Sequence, residues 1–411
     1  MKNLLKVIVV VTPLFFIGCG SSNLIESDIK GGEIVVDFSA SQMKKMLIEE
    51  GYVTDDVTVF GYRAYKIPYS TTDEEGNEVD VSGLFVIPTS SSTIFEEKGL
   101  SMVSDSHGTI FKNSDAPTVH GINYGTPNGA PILLTSIGAF ATLQPDYIGF
   151  GNSYKHYHPY MLKNSLVNAT VDFIRQVKIF AKDNNIKLNQ QLFLTGYSEG
   201  GYATMATLKK VEEEIDDLSV SMAIPMASSS YSLDKMAHIV LAKEELIVPA
   251  FITNMVYSYS KAYDKEPSSI MNENYASKLP TLFDGIKGIY EVNAELTRVT
   301  KGEEGLFKDS AIANLESNWF MKAMVENSIE EWRSNTKIRL INCEGDQVAI
   351  FSEANRTVES MRGMGTEDIE IISVENRLGL SEKLGHMECA EPSYRMATEI
   401  FANIRQTTIG Y

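Results

Sequence analysis

Gln191-Leu192-Phe193-Leu194-Thr195-Gly196-Tyr197-Ser198-Glu199-Gly200-Gly201 is the stretch whose reading decides the fold. Leu192, Phe193 and Leu194 form a short apolar run that reads as a buried strand, and Tyr202 to Lys210 contains good helix formers. Between them lies Gly-x-Ser-x-Gly. Strand, sharp turn and helix is the context that projects a serine hydroxyl on a nucleophile elbow. Gly196 and Gly200 fit it because strand and helix backbones crowd together there. The bland alternative is a glycine-rich turn that only joins strand to helix. In this context Ser198 is the candidate nucleophile.

Working outward, strands and helices alternate. Val57–Ile67 and Val79–Ile87, separated by polar residues 71–78, read as an antiparallel hairpin. Strands are expected at 100–105 and 140–147, the elbow strand at 192–195, and further strands at 219–224, 337–343 and 368–374. Helices are expected at 164–182, 201–214, 353–362 and 393–404. This alternation predicts an α/β fold whose mostly parallel sheet carries helices on both faces, with ligands at the carboxyl ends of the strands. Residues 229–336 break the alternation and read as a helical cap inserted into the core, their Met and aromatic residues forming the cap's own interior. The expected organisation is a signal segment at 1–18, a tether and N-terminal segment at 19–50, core at 51–228, cap at 229–336 and core again at 337–411.

A serine nucleophile needs a base, and the base an orienting carboxylate, in the chain order Ser, acid, His for this architecture. Two of the six histidines follow Ser198. His238 lies in an apolar helical stretch of the cap and reads as a packed or surface residue. His386 lies in Gly385-His386-Met387, a loop after the last strand, and is the candidate base. The strand at 337–343 runs into Glu344-Gly345-Asp346-Gln347. Asp346 is favoured over Glu344 because Gly345 frees the turn before it. An oxyanion needs two converging N–H donors. Glu199 supplies one as the residue after the serine, and the loop Ser106-His107-Gly108-Thr109 the other, through Thr109 first and Gly108 second. His107 is read as shaping that loop.

The formal balance of 36 basic and 54 acidic residues, −18 overall, argues against a nucleic-acid partner. Gly149-Phe150-Gly151 lacks the rest of a dinucleotide fingerprint and no cofactor is indicated. His156 and His158 lack a third ligand at sensible spacing, so no metal is expected. Lys2, Lys6 and the apolar run Val7–Ile17 read as an export signal, too short to span a bilayer. Ile17-Gly18-Cys19 resembles a bacterial lipobox, which implies lipidation of Cys19 and an exported, membrane-tethered protein on the periplasmic or cell-surface side. An ordinary secretory signal is the alternative. Cys343 and Cys389 then remain as one pair, each three residues from a triad candidate. Because a triad brings those two loops together, a disulfide between them is expected, against two buried thiols.

Taken together, Ser106–Thr109, Pro145–Gly151, His158-Pro159-Tyr160, Gly196–Gly201, Asp346-Gln347-Val348 and His386–Ala390 make residues 55–411 resemble the α/β-hydrolase superfamily. The likeness is to its secretory-lipase and esterase branch with a helical cap. The resemblance implies Ser198 as nucleophile, His386 as base, Asp346 as orienting acid, a structural Asp146, and cleavage of lipid or small acyl esters without an obligate protein partner. Glu199 departs from the glutamine or histidine frequent beside the serine. A serine peptidase on the same fold, or a binding protein on a hydrolase scaffold, are the rival readings.

Overall fold

The computed structural model describes residues 29–127, 129–228, 231–329 and 331–411. Cys19 and the export signal lie outside the described residues. Nine strands form one sheet in the order β1-β2-β3-β5-β4-β6-β7-β8-β9. They are β1 (Glu33–Phe38), β2 (Gly61–Thr72), β3 (Glu78–Thr89), β4 (Leu100–Ser106), β5 (Ala141–Pro145), β6 (Leu188–Tyr197), β7 (Met222–Met226), β8 (Ile338–Asn342) and β9 (Ile369–Ser373). Pairing is antiparallel from β1 through β3 to β5 and parallel from β5 through β9. The two halves differ in sequence for a physical reason. Strands β4, β5 and β7 are buried along their whole length, so they read as continuous runs, whereas an antiparallel edge can keep one wet face.

One boundary differs from the sequence expectation, and two elements had not been assigned. Within the tether and N-terminal segment at 19–50, β1 pairs with β2, and a helix at Ala40–Glu49 follows, opened by Ser39, whose side chain accepts from the N–H of Gln42. Its strand signal is weak because Glu33-Ile34-Val35-Val36-Asp37-Phe38 is a short edge with charges at two positions. The strand expected at 219–224 instead spans Met222–Met226 and runs through Pro225, a residue that lacks a ladder N–H and so masks a strand. That extension matters, because the carbonyl of Met226 accepts the N–H of Ser198 at 2.9 Å.

Helices α1 (Lys163–Asp183), α2 (Glu199–Glu214) and, after the insertion, Phe351–Gly363 cover one face. Ala390–Thr408 and the π-helical turn Ile132–Ile137 cover the other. Helix α1 buries Leu166, Val167, Phe173, Ile174, Val177 and Phe180, a 3.6-residue stripe. The stripe fits because Gly83 leaves space: a Cβ there would meet the Phe173 ring at 2.5 Å. Between β7 and β8 the chain forms a mostly helical cap that includes Leu233–Leu241, Pro249–Ala262 and Trp319–Asn327. Among the described residues no helix is long and apolar enough to cross a membrane.

Phe173→Ala should therefore cost roughly 3–5 kcal/mol in urea unfolding. Arg175→Ala, which removes the surface pairs with Asp217 at 2.7 Å and Asp172 at 3.7 Å, should cost about 1 kcal/mol or less.

Candidate active site

The turn between β6 and α2 places Ser198 at φ 59°, a left-handed conformation that β-carbon-bearing residues avoid unless their surroundings fix it. What fixes it is crowding at the centre of the sheet. A Cβ on Gly200 would lie 1.8 Å from the carbonyl oxygen of Ser106, and one on Gly196 2.4 Å from the oxygen of Gly200. Glycine is required at both, and the serine is left projecting.

His386 meets that serine. Its Nε2 is 3.0 Å from Ser198 Oγ and its Nδ1 is 2.6 Å from Asp346 Oδ2. The Asp346 side chain is buried, and its second oxygen accepts the N–H groups of Val348 and Ala349 at 2.8 Å each. Glu344 is used elsewhere: it pairs with Lys383 and accepts from Asn376 at 2.6 Å. The three residues singled out in the sequence thus form one chain of contacts, from Ser198 through His386 to Asp346. His238 lies at the surface of the cap beside Glu316, 2.8 Å away.

Two covalent and polar devices hold the acid and base loops together. A disulfide joins Cys343 to Cys389, with Cα atoms 6.0 Å apart. Closing that 46-residue separation restricts the unfolded chain by roughly 4 kcal/mol in the chain-entropy picture. The second device is Glu375, which sequence reading missed. Its carboxylate accepts N–H groups from Glu344 (3.0 Å) and Gly345 (3.2 Å) on the acid loop and from Leu384 (3.0 Å) on the base loop. Burial raises its pKa, but the backbone donors outweigh burial and hold the carboxyl below its ordinary range. Nothing in a lone glutamate signals this role; a glutamate two residues past a strand end is the faint clue. Gly345 completes the contact, since a Cβ there would meet the carbonyl oxygen of Leu384 at 2.7 Å.

The proposed oxyanion loop is fixed from behind. Gly108 lies against the elbow, where a Cβ would approach Tyr197 O at 2.9 Å and Ser198 Cβ at 3.7 Å. Thr109 Oγ1 is 3.2 Å from the Tyr160 hydroxyl. His107 sits between the carbonyls of Gly108 (2.8 Å) and Asp146 (3.2 Å), and burial holds its pKa below the ordinary value. Asp146, fully buried, accepts from Ser82 Oγ (2.5 Å) and from Thr118 N (2.9 Å) and Oγ1 (2.5 Å), while burial pushes its pKa up to about 6. His156 and His158 do not converge on a shared site: the two ring nitrogens of His158 lie 2.9 Å from Ile148 O and 2.8 Å from Glu199 Oε1.

Above Ser198 opens a cavity of about 140 Å³, lined on the cap side by Leu233, Met236, Val240, Phe251, Met255 and Met324. Met236, Met255 and Met324 are therefore more than part of the cap's own interior. They also wall the space beside the serine.

The fold has relatives among solved structures. The rice cell wall degrading esterase LipA from Xanthomonas oryzae superimposes with a TM-score of 0.75 at 17% identity, over 92% of this chain and 96% of that one. The chain has the α/β-hydrolase fold. A Legionella pneumophila protein matches this hydrolase fold at TM-score 0.76 and 21% identity over 92% and 98% of the two chains. Lipase A of Candida antarctica matches it at 0.57 and 13% over 85% and 76%. No protein-family model and no curated protein sequence matches the chain.

Because the folded pKa of Glu375 is lowered, its stabilisation is present above its ordinary value of 4.5 and is lost as pH falls through the folded value. Glu375→Gln should cost about 1–3 kcal/mol at pH 7. Paired urea titrations at pH 7 and below pH 4 should show that gap narrowing on acidification.

Proposed function

We propose that this chain is a serine hydrolase of carboxylic esters, exported and held to a bacterial membrane by lipid on Cys19. The reading rests on one chain of contacts, Ser198 Oγ to His386 Nε2 at 3.0 Å and His386 Nδ1 to Asp346 Oδ2 at 2.6 Å, at the edge of an apolar cavity. Three solved relatives of the same fold, two of which are an esterase and a lipase, support the reaction class.

The chemistry follows from the geometry. An acyl group enters the apolar cavity and presents its ester carbonyl to Ser198. His386 takes the hydroxyl proton as Oγ attacks, and Asp346 holds the ring in the tautomer that leaves Nε2 free to accept. Negative charge on the carbonyl oxygen is met by the N–H of Glu199 and by the N–H of Thr109 or Gly108. Collapse expels the alcohol, which takes the proton from His386. Water, activated by the same ring, then releases the acid. No step calls for a cofactor.

The cavity sets the acyl group. At about 140 Å³ it is close to the engineered cavity of ~150 Å³ that admits benzene, which suits acyl chains of roughly four to eight carbons.

Four measurements test the proposal. A fluorophosphonate probe should label the folded protein and leave Ser198→Ala unlabelled; an unlabelled, folded wild type would refute the nucleophile. Hydrolysis of p-nitrophenyl esters should peak at butyrate to octanoate, and a peak at palmitate would mean that the cap opens beyond the cavity described. Asp346→Asn should lower kcat by on the order of 10⁴, whereas Glu344→Gln should change it by about threefold at most. For the tether, cells fed a clickable fatty acid should label the wild type and not Cys19→Ser.

A further inference from the structure

Glu199 and His158 form a buried pair that the mechanism above does not use. Glu199 follows the proposed nucleophile, and its N–H is the proposed oxyanion donor, yet its side chain is a carboxylate with 0% exposure. Oε1 lies 2.8 Å from His158 Nε2, while His158 Nδ1 lies 2.9 Å from the carbonyl oxygen of Ile148. Among the described residues Oε2 has no hydrogen-bond partner.

Counting protons constrains this arrangement. A neutral imidazole has one N–H and one lone pair, so it cannot donate to two acceptors. Both contacts are hydrogen bonds only when the pair holds one proton more than a neutral ring and a carboxylate. Either an imidazolium faces the carboxylate, or a protonated carboxyl donates to Nε2 while Nδ1 donates to Ile148. The pair has zero net charge in both forms. Without that proton a lone pair faces an acceptor, and Glu199 becomes a buried, uncompensated anion.

Among the described residues His158 is the only side chain within hydrogen-bond distance of the Glu199 carboxylate. His107 faces the pair as well, but its two ring nitrogens are taken up by the carbonyl oxygens of Gly108 and Asp146 rather than by Glu199, and burial favours its neutral form. Tyr147, Tyr160 and Tyr202 face Glu199, with burial raising each hydroxyl, so they too are neutral near pH 7. The His158 ring is otherwise walled by Phe150, Tyr147 and Tyr160. Asp346 and His386 lie beyond Ser198 as their own pair, and Lys243 lines the cavity without a contact to Glu199 among those described.

We propose that His158 is a positioning residue for the reaction, one that neutralises Glu199 so that the oxyanion donor sits on an uncharged side chain. The inference rests on the ester-hydrolase reading, because it concerns the charge that develops beside the Glu199 N–H. A net negative charge on that residue would oppose the oxyanion, slowing turnover by on the order of tenfold to a hundredfold.

The test is the kinetics of p-nitrophenyl butyrate hydrolysis between pH 5 and 9 for wild type, His158→Phe, His158→Gln and His158→Phe combined with Glu199→Gln. Thermal melts establish that each protein is folded. Both single variants should lose on the order of tenfold to a hundredfold in kcat at pH 8, with KM changed by about threefold at most. The double variant should regain most of the loss across the range. His158→Gln serves where His158→Phe fails to fold. A folded single variant with wild-type kcat, or a loss that Glu199→Gln does not relieve, would overturn the inference while leaving the hydrolase reading intact. A wild type that neither turns over the ester nor reacts with a fluorophosphonate would overturn both.

Discussion

The carbonyl of Ser106 lies so close to residue 200 that a single methyl group there would overlap it, at 1.8 Å. This contact lets β4, β6 and helix α2 meet at the middle of the sheet. The approach also forces the chain to turn sharply at Ser198, with the Ser198 N–H held by Met226 at 2.9 Å. Strain at the serine is thus supported by β4 and β7, two strands buried along their whole length. Neighbouring pieces inherit their positions from it: the loop carrying Gly108 continues directly from Ser106, and Glu199 begins the helix.

The candidate acid and base have no such local origin. Asp346 and His386 come from loops 40 residues apart, after β8 and β9, and two long loops do not hold a 2.6 Å contact by themselves. Cys343 and Cys389 fix one end of the contact covalently, and Glu375 gathers three backbone N–H groups across it. The hydroxyl of Tyr197 donates to the carbonyl of His386, so the elbow strand itself touches the base loop. Tyr394 stacks on Tyr197 at 6.2 Å and carries the contact to the last helix.

What could be read from the sequence follows the range of the forces involved. The elbow was legible because strand, glycines and helix all fall within about twenty residues, where periodicity and backbone sterics act together. Asp346 and His386 were legible through chain order, and Gly345 separated Asp346 from Glu344. Glu375 was not, because its three donors come from two loops that only the folded sheet brings together. The His158–Glu199 pair was hidden for the same reason: 41 residues separate its members, and His158 could be weighed only with its neighbour His156. The first strand was missed because an edge strand buries too little to show a pattern. β7 was shortened because Pro225 interrupts the usual signal.

One regularity ties the fold to its chemistry. Among the described residues five Asp and Glu side chains are buried: Asp105, Asp146, Glu199, Asp346 and Glu375. They stand at or just beyond the carboxyl ends of β4, β5, β6, β8 and β9, the end of a parallel sheet where ligands are handled. Burying a carboxylate is costly, so each has its own compensation. Tyr394 and Gln144 donate to Asp105, whose pKa burial nonetheless pushes up to about 7. Ser82 and Thr118 serve Asp146, and backbone donors serve Asp346 and Glu375. Glu199 differs from the other four in that, among the described residues, one of its oxygens has no hydrogen-bond partner. Carboxylates scattered through a core would only destabilise it. Gathered at one end of the sheet, they brace the loops that carry Ser198, His386 and Asp346, and in the proposed reaction the field at the carbonyl oxygen would depend on how completely each is neutralised.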